Sequence, residues 1–177
     1  MITVRRADLS DATAIGAVHV AAWRSAYPGI LPGAYLAKLS PTRMALHYRA
    51  AIASGALVMV AAPAGQGPRV VGFTTAGPAR TAGLGDAEIE TLYVLDDWRD
   101  QGLGRRMMQA AASQLVARGH GSAFVWVLRD NPSRWFYRHL GGQPAAEGQT
   151  RLAGVALPQV AYGWNPIDRL LAAEAAG

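Results

Sequence analysis

Val94-Leu95-Asp96-Asp97-Trp98-Arg99-Asp100-Gln101-Gly102-Leu103-Gly104-Arg105-Arg106 joins an alternating strand to an amphipathic helix. Glycines at 102 and 104 let the backbone approach a ligand with no Cβ in the way. The first turn of a helix offers N–H groups without intrahelical partners and the positive end of the helix dipole. A pyrophosphate suits such a cradle. Each ligand charge gains on the order of 0.3–1 kcal/mol from the dipole. Arg99, Arg105 and Arg106 add positive charge nearby. A loop with this spacing can also be purely structural. Two common phosphate loops are excluded. The dinucleotide fingerprint requires a third glycine where Met107 stands, and no Gly-Lys-Ser/Thr triplet exists for a P-loop.

The flanks extend the pattern in both directions. Residues 87–94 alternate as a strand, after a Gly- and Pro-containing loop over 77–86. Downstream, Met108, Ala111 and Leu115 recur on one helix face that ends near Gly119. The run 122–128 is almost continuously apolar, as a strand buried on both faces would be. A short helix over 133–140 stops at Gly141-Gly142, and weaker strands follow at 149–152 and 157–164. Residues 166–176 read as a short helix or a tail.

Upstream, residues 2–7 suggest an edge strand, and Asp8, Ser10 and Asp11 offer capping oxygens. The helix that follows places Ile15, Val18 and Ala22 on one face and is broken by Pro28 to Gly33. A second helical region spans 34–53, with an interruption near Pro41. Residues 57–62 and 69–76 read as two strands joined by a hairpin loop over 63–68. The order is β-α-α-β-β-β-α-β-α-β-β. This is an α/β (α+β) chain with a mixed, mostly antiparallel central sheet flanked by helices. One domain over 1–177, with a C-terminal tail from about 166, is the economical reading.

Composition narrows the function classes. Hydrophobic residues make up 51% and charged residues 16%, which excludes an intrinsically disordered chain. Cysteine is absent, so there is no disulfide scaffold, thiolate zinc site or cysteine nucleophile. This is compatible with a reducing cytoplasm. Arginine supplies 16 of the 17 basic residues, Lys38 being the exception, and the net charge is +5. The arginines are spread along the chain with no basic run longer than two. That pattern suits a solvated surface or a small polyanionic ligand better than a nucleic-acid face. No membrane span or export signal is read, so the expected location is cytoplasmic.

Arg99-x-x-Gly102-x-Gly104 after Leu92-Tyr93-Val94 resembles motif A of the GNAT superfamily of N-acetyltransferases. Trp23-Arg24-Ser25-Ala26-Tyr27-Pro28-Gly29-Ile30-Leu31-Pro32 is similar to the first-helix region of many small members. The block from Asn131 to Gly142, with Phe136-Tyr137 at its centre, is similar to the family's downstream Asn…Phe-Tyr…Leu-Gly-Phe block. The likeness covers nearly the whole chain. It implies that backbone N–H groups of Asp100, Gln101, Gly102, Leu103, Gly104 and Arg105, with Arg99 beside them, bind the pyrophosphate of acetyl-CoA. It also implies that the pantetheine arm pairs with Leu92, Tyr93 and Val94 in a gap opened by a bulge, and that the Leu92 N–H polarises the thioester carbonyl. The reaction implied is direct attack by a primary amine, with no metal.

Residue roles follow from the same resemblance. Glu88 sits where several members keep a strand glutamate as base. Glu90, two residues on, shares its face unless the bulge intervenes. Both are otherwise ordinary strand carboxylates facing solvent. Tyr137 maps to the tyrosine that protonates the departing thiolate; its other reading is a core aromatic beside Trp135 and Phe136. Asn131 maps to a CoA-contacting asparagine, but stands six residues before Tyr137 where the family has seven. Trp23 and Tyr27, one helical turn apart, either wall the acceptor pocket or pack on the sheet. His19, His47, His120 and His139 are scattered, with no ligand spacing for a metal. The acceptor is a small-molecule or peptide amine, and homodimers are common in the family. The alternative is a non-catalytic acyl-CoA-binding sensor or interaction module with the same cradle. No Gly-x-Ser-x-Gly elbow occurs, which argues against an α/β-hydrolase.

Overall fold

A computed structural model describes residues 1–65 and 69–174. Strand β1 (Ile2–Arg6) leads to helices α1 (Ala12–Ala26), α2 (Gly33–Lys38) and α3 (Pro41–Ala53). Strands β2 (Leu57–Pro63), β3 (Gly72–Pro78) and β4 (Ala87–Val94) follow, then α4 (Leu103–Ala117) and β5 (Ala123–Leu128). Helix α5 (Arg134–His139), strands β6 (Gln143–Leu152) and β7 (Val155–Trp164) and helix α6 (Asp168–Leu171) complete the chain. The sheet runs β1-β2-β3-β4-β5-β7-β6. Every neighbouring pair is antiparallel except β4 and β5.

The two faces of the sheet bury different helices. On one, α4 sets Met108, Ala111 and Leu115 against Leu57, Met59, Ile89 and Val125. On the other, Ile15 and Val18 of α1 and Tyr48 of α3 cover Val58, Val60 and Phe73. Each large side chain so buried contributes roughly 1.5–3 kcal/mol from area removed from water. The crossing of α1 and α3 is close enough that a Cβ on Gly16 would stand 2.5 Å from the Ala45 nitrogen. Residues 31 and 36 of the α1–α2 region pack on Leu128 and Leu157, tying this segment to the far half of the sheet.

One feature of the sheet makes room for a site. β4 and β5 pair only from Ala87 to Ile89 against Ala123 to Val125. On its other edge β4 slips by one residue: Thr75 faces Thr91, but Ala76 faces Ile89. Glu90 is therefore the extra residue of a bulge, which bends and twists the strand. Beyond it, Leu92 to Val94 stay paired with β3 and have no partner in β5.

Several boundaries differ from the sequence reading. The second helical region is two helices, because Ser40 caps α3 by accepting from the Arg43 N–H (3.2 Å) and Pro41 takes the first helical position. β3 begins at Gly72, after Val71 donates to the Ala61 carbonyl at 2.9 Å. β6 and β7 are each ten residues long, since Ala153 and Gly154, both at positive φ, close a hairpin that pairs from Leu152–Val155 back to Gln143–Gly163. The tail carries the short α6. Part of the 63–68 hairpin loop and the end of the 166–176 segment lie outside the described residues.

Candidate active site

After β4, a short 3-10 turn at Asp96–Trp98 reverses the chain, and Arg99 pairs with Asp96 at 3.1 Å. Asp100 and Gly102 both adopt positive φ, 57° and 71°. Glycine takes this conformation freely, whereas an aspartate does so at some cost. The first helical bond of α4 runs from the Arg106 N–H to the Gly102 carbonyl (3.1 Å). The amides of Leu103, Gly104 and Arg105 precede it and have no intrahelical acceptor. Two side chains of this region are engaged elsewhere. Arg106 donates to the Ile2 carbonyl (2.8 Å) in β1, and Gln101 to the Asp97 carbonyl (3.3 Å). The expected contribution of Arg106 to the loop's positive charge is thus directed away from it.

The loop opens on a cleft of about 1000 Å³ that passes between the parted strands. Leu95 donates to the Val71 carbonyl at 2.9 Å, so Leu95 and, two residues back, Tyr93 turn their peptide groups to β3. By the same alternation Leu92 and Val94 turn theirs towards the gap. The Tyr93 ring goes to the α1 face, edge-on to His19 (5.4 Å) and Phe73 (5.6 Å). Burial, with the nearby Tyr27 hydroxyl, pushes its pKa well up.

Helix α5 forms the opposite wall. Its approach is set by Asn131, whose side-chain oxygen accepts from the Ser133 N–H (2.9 Å), so this predicted CoA contact is used in a local turn while also lining the cleft. Tyr137 lines the cleft too and is 6% exposed. Its ring packs on Phe136 (5.3 Å) and Tyr162 (6.4 Å). Burial raises the pKa of the Tyr137 hydroxyl above its ordinary value, with Tyr27 adding to the effect. A neutral phenol able to donate a proton is what remains. Gly142 is required here, since a Cβ would lie 2.7 Å from the Tyr137 carbonyl oxygen.

The two carboxylates of β4 have unlike surroundings. Glu88 is 2% exposed and does not face solvent. Its oxygens accept from Arg80 Nη2 (2.8 Å), Arg80 Nε (3.0 Å) and the Arg80 backbone N–H (3.3 Å). Glu90, the bulge residue, is a third exposed along its side chain and stands 3.8 Å from Arg80 Nε. The bulge does intervene between them, yet both line the cleft. Glu90 and Thr91 also border a second cavity of about 380 Å³ on the α3 side.

Trp23 and Tyr27 stand on the α1 side of the cleft. They meet edge-on at 5.0 Å within the packing around α1, and both line the cleft. The Trp23 indole N–H is buried beside Tyr93, with no well-aligned hydrogen bond among the described residues. His19 stacks on Trp23 (5.1 Å) and shares a 2.8 Å hydrogen bond with the Tyr48 hydroxyl. Burial, helped by His47, lowers the His19 pKa to about 4. Among the described residues no group of three or more His, Cys, Asp or Glu side chains could hold a metal ion. Sequence reasoning missed Arg80, Thr81 and Trp126, which also line this end of the cleft. The one signal was an arginine just after a strand and opposite a strand glutamate.

Solved acetyltransferases share this fold. A GCN5-related N-acetyltransferase from Rhodopseudomonas palustris superposes with a TM-score of 0.70 at 21% identity, over 92% of this chain and 94% of that one. YncA from Salmonella typhimurium, solved with its cofactor acetyl-CoA, gives 0.68 at 20% identity, over 100% of this chain and 98% of that one. The PaiA N-acetyltransferase from Thermoplasma acidophilum, solved in complex with coenzyme A, gives 0.66 at 17% identity, over 93% and 99%. These likenesses define the class, a GNAT-type mixed α/β fold.

The particular family rests on sequence. A model of the acetyltransferase (GNAT) family matches residues 20–141. The uncharacterized N-acetyltransferase YuaI of Bacillus subtilis strain 168 is 36% identical over 171 residues, covering 96% of each chain. The chain belongs to the GNAT family of acetyltransferases.

Proposed function

We propose that this protein transfers an acetyl group from acetyl-CoA to a primary amine by direct attack in a ternary complex. The observation that carries the reading is the opening between β4 and β5, with unpaired helix amides at one mouth and Glu88, Glu90 and Tyr137 along its walls. The residues present fit acetyl-CoA. The amides of Leu103, Gly104 and Arg105 suit its pyrophosphate. The Leu92 and Val94 peptide groups suit its amide-bearing arm, as an added strand would. Arg99, Asp100 and Gln101 shape the loop, and Asn131 closes the far side.

Acetyl-CoA supplies the activated acetyl thioester. The chain's own groups handle protons and charge. The Leu92 N–H polarises the thioester carbonyl. An alkylamine with a pKa near ~10 arrives as ammonium at neutral pH, so a proton must leave it first. Glu90 takes that proton, directly or through one water, because both Glu88 oxygens already accept from Arg80. As the new C–N bond forms and the C–S bond breaks, Tyr137 gives its proton to the departing sulfur, and the second proton lost by the nitrogen restores the phenol. Trp23 and Tyr27 wall the acceptor end.

No helix among the described residues is long and apolar enough to cross a membrane. The proposal sets the reaction in the cytoplasm, carried by one domain acting alone or as a homodimer. Calorimetric titration with acetyl-CoA, paired with a free-thiol assay over an amine panel, tests it. Binding below millimolar with thiol release for at least one amine is expected. Binding without release for any amine favours the sensor reading, and no binding by folded protein overturns both.

A further inference from the structure

The geometry points to Arg80 as the residue that selects the acceptor: the amine acetylated here also carries a carboxylate, as an amino acid does, and that carboxylate docks on the outer edge of the Arg80 guanidinium. This rests on the transfer reading above and adds the substrate class.

Arg80 is an unusual cation for an open cleft. Its side chain is 65% exposed, yet it is held by a glutamate whose side chain is 3% exposed. A guanidinium presents its donors as a rigid planar fork that matches a carboxylate two bonds at a time. Glu88 takes the Nε and Nη2 edge, at 3.0 and 2.8 Å. No described residue accepts from Nη1, so the end-on edge formed by Nη1 and the second Nη2 proton remains unspent. The buried carboxylate fixes the direction of that edge, so little side-chain entropy is left to lose on binding.

The loop that carries Arg80 is fastened at both ends. Ala79 donates to the Asp86 carbonyl (3.0 Å), Asp86 N–H to Ser122 Oγ (2.9 Å), and Gly121 N–H to Asp86 Oδ2 (2.9 Å). The Trp126 indole N–H donates to Thr81 Oγ1 at 3.3 Å. These contacts tether the loop, and Arg80 and Thr81 line the cleft. Glu90 then stands on the Nε side of the same guanidinium, 3.8 Å away. An ammonium at Glu90 and a carboxylate at the free fork are the two ends of a zwitterion. Net charge alone would favour a bare ammonium, since two carboxylates face one guanidinium. The directional, unspent pair of donors is what favours the zwitterion, because a site built to hydrogen-bond a group discriminates far more sharply than Coulomb attraction does.

Initial rates of thiol release with matched acceptors test this: phenylalanine against phenethylamine, and leucine against isoamylamine. In the wild type, each amino acid is expected to exceed its decarboxylated partner at least tenfold in kcat/KM. Arg80→Gln should raise KM for the amino acids ten- to a hundredfold and move the plain amines less than threefold. Arg80→Lys, which keeps the charge but not the fork, should fall between. Removing Arg80 strands the buried Glu88, so Arg80→Gln/Glu88→Gln is measured alongside; a loss common to both acceptors belongs to Glu88, and the amino-acid-to-amine ratio of kcat/KM should fall by the same factor as in the single variant. Plain amines that equal or exceed the amino acids, or Arg80 variants that lower both members of each pair in parallel, would overturn the inference and leave the transfer reading standing. Thiol release with no amine at all would contradict the transfer reading itself, and this inference with it.

Discussion

Gly104 and Phe136 touch so closely that a Cβ on residue 104 would lie 3.0 Å from the Phe136 ring tip. The first turn of α4 and the aromatic wall of α5 are thereby set at a fixed separation. The amides that suit a pyrophosphate and the ring of Tyr137 next door depend on the same contact.

Replacing that glycine should act on binding first. Gly104→Val pushes side-chain atoms into Phe136 and over the helix amides. Overpacking of this kind costs typically about 1–3 kcal/mol. The expected outcome is a loss of acetyl-CoA affinity greater than tenfold by calorimetry, with an unchanged far-ultraviolet circular dichroism spectrum.

Tyr137→Phe removes one hydroxyl and keeps the ring that packs on Phe136 and Tyr162. A positioned acid contributes on the order of 10²-fold or more to a rate. The variant should lose kcat by about that factor while its acetyl-CoA Kd stays within twofold. Equal loss of affinity would make Tyr137 a packing residue only.

Glu90 and Glu88 should separate by pH profile. A Glu90→Gln enzyme must wait for the free amine, whose fraction rises about tenfold per pH unit below its pKa near ~10. Its kcat/KM deficit is expected to be large at pH 7 and to close by pH 9.5. In Glu88→Gln, which disturbs Arg80 rather than proton removal, the deficit should be the same at both pH values.

His19 makes acid stability testable. Its pKa falls from the ordinary 6.5 to about 4 in the fold, chiefly because it is buried, with His47 adding repulsion. Between those values the unfolded chain binds the extra proton, so stability is complete above pH 6.5 and declines as pH falls towards 4. His19→Gln should flatten the melting temperature across that window relative to the wild type. A parallel decline in both proteins would remove His19 as the cause.

What the sequence disclosed had local causes. The 87–94 alternation and the glycines at 102 and 104 mark a strand, a turn and a helix start through rules that act over a few residues. Tyr137 and the β4 backbone positions came from resemblance, and in the structure they line the cleft. The rest depended on pairing across the fold. Gln143 to Gly148 contains few strand-forming residues, and β6 exists there because β7 supplies its partners. The bulge was expected from the resemblance, but its place at Glu90 is a property of register between two strands, with no signature in either alone. Arg80 meets Glu88 only because a loop folds back on β4, and no periodicity announces that pair.

Acetyl-CoA binding as proposed depends on the first amides of α4, which have no intrahelical acceptor, and on the edge of β4 beyond Ile89 that β5 leaves unpaired. The most direct measurement is a backbone amide spectrum of the isotope-labelled protein titrated with acetyl-CoA. Saturable shifts concentrated at Leu92, Val94, Leu103, Gly104 and Arg105 are expected, with half-saturation below millimolar. Shifts confined to other surfaces, or none in a well-folded sample, would contradict it.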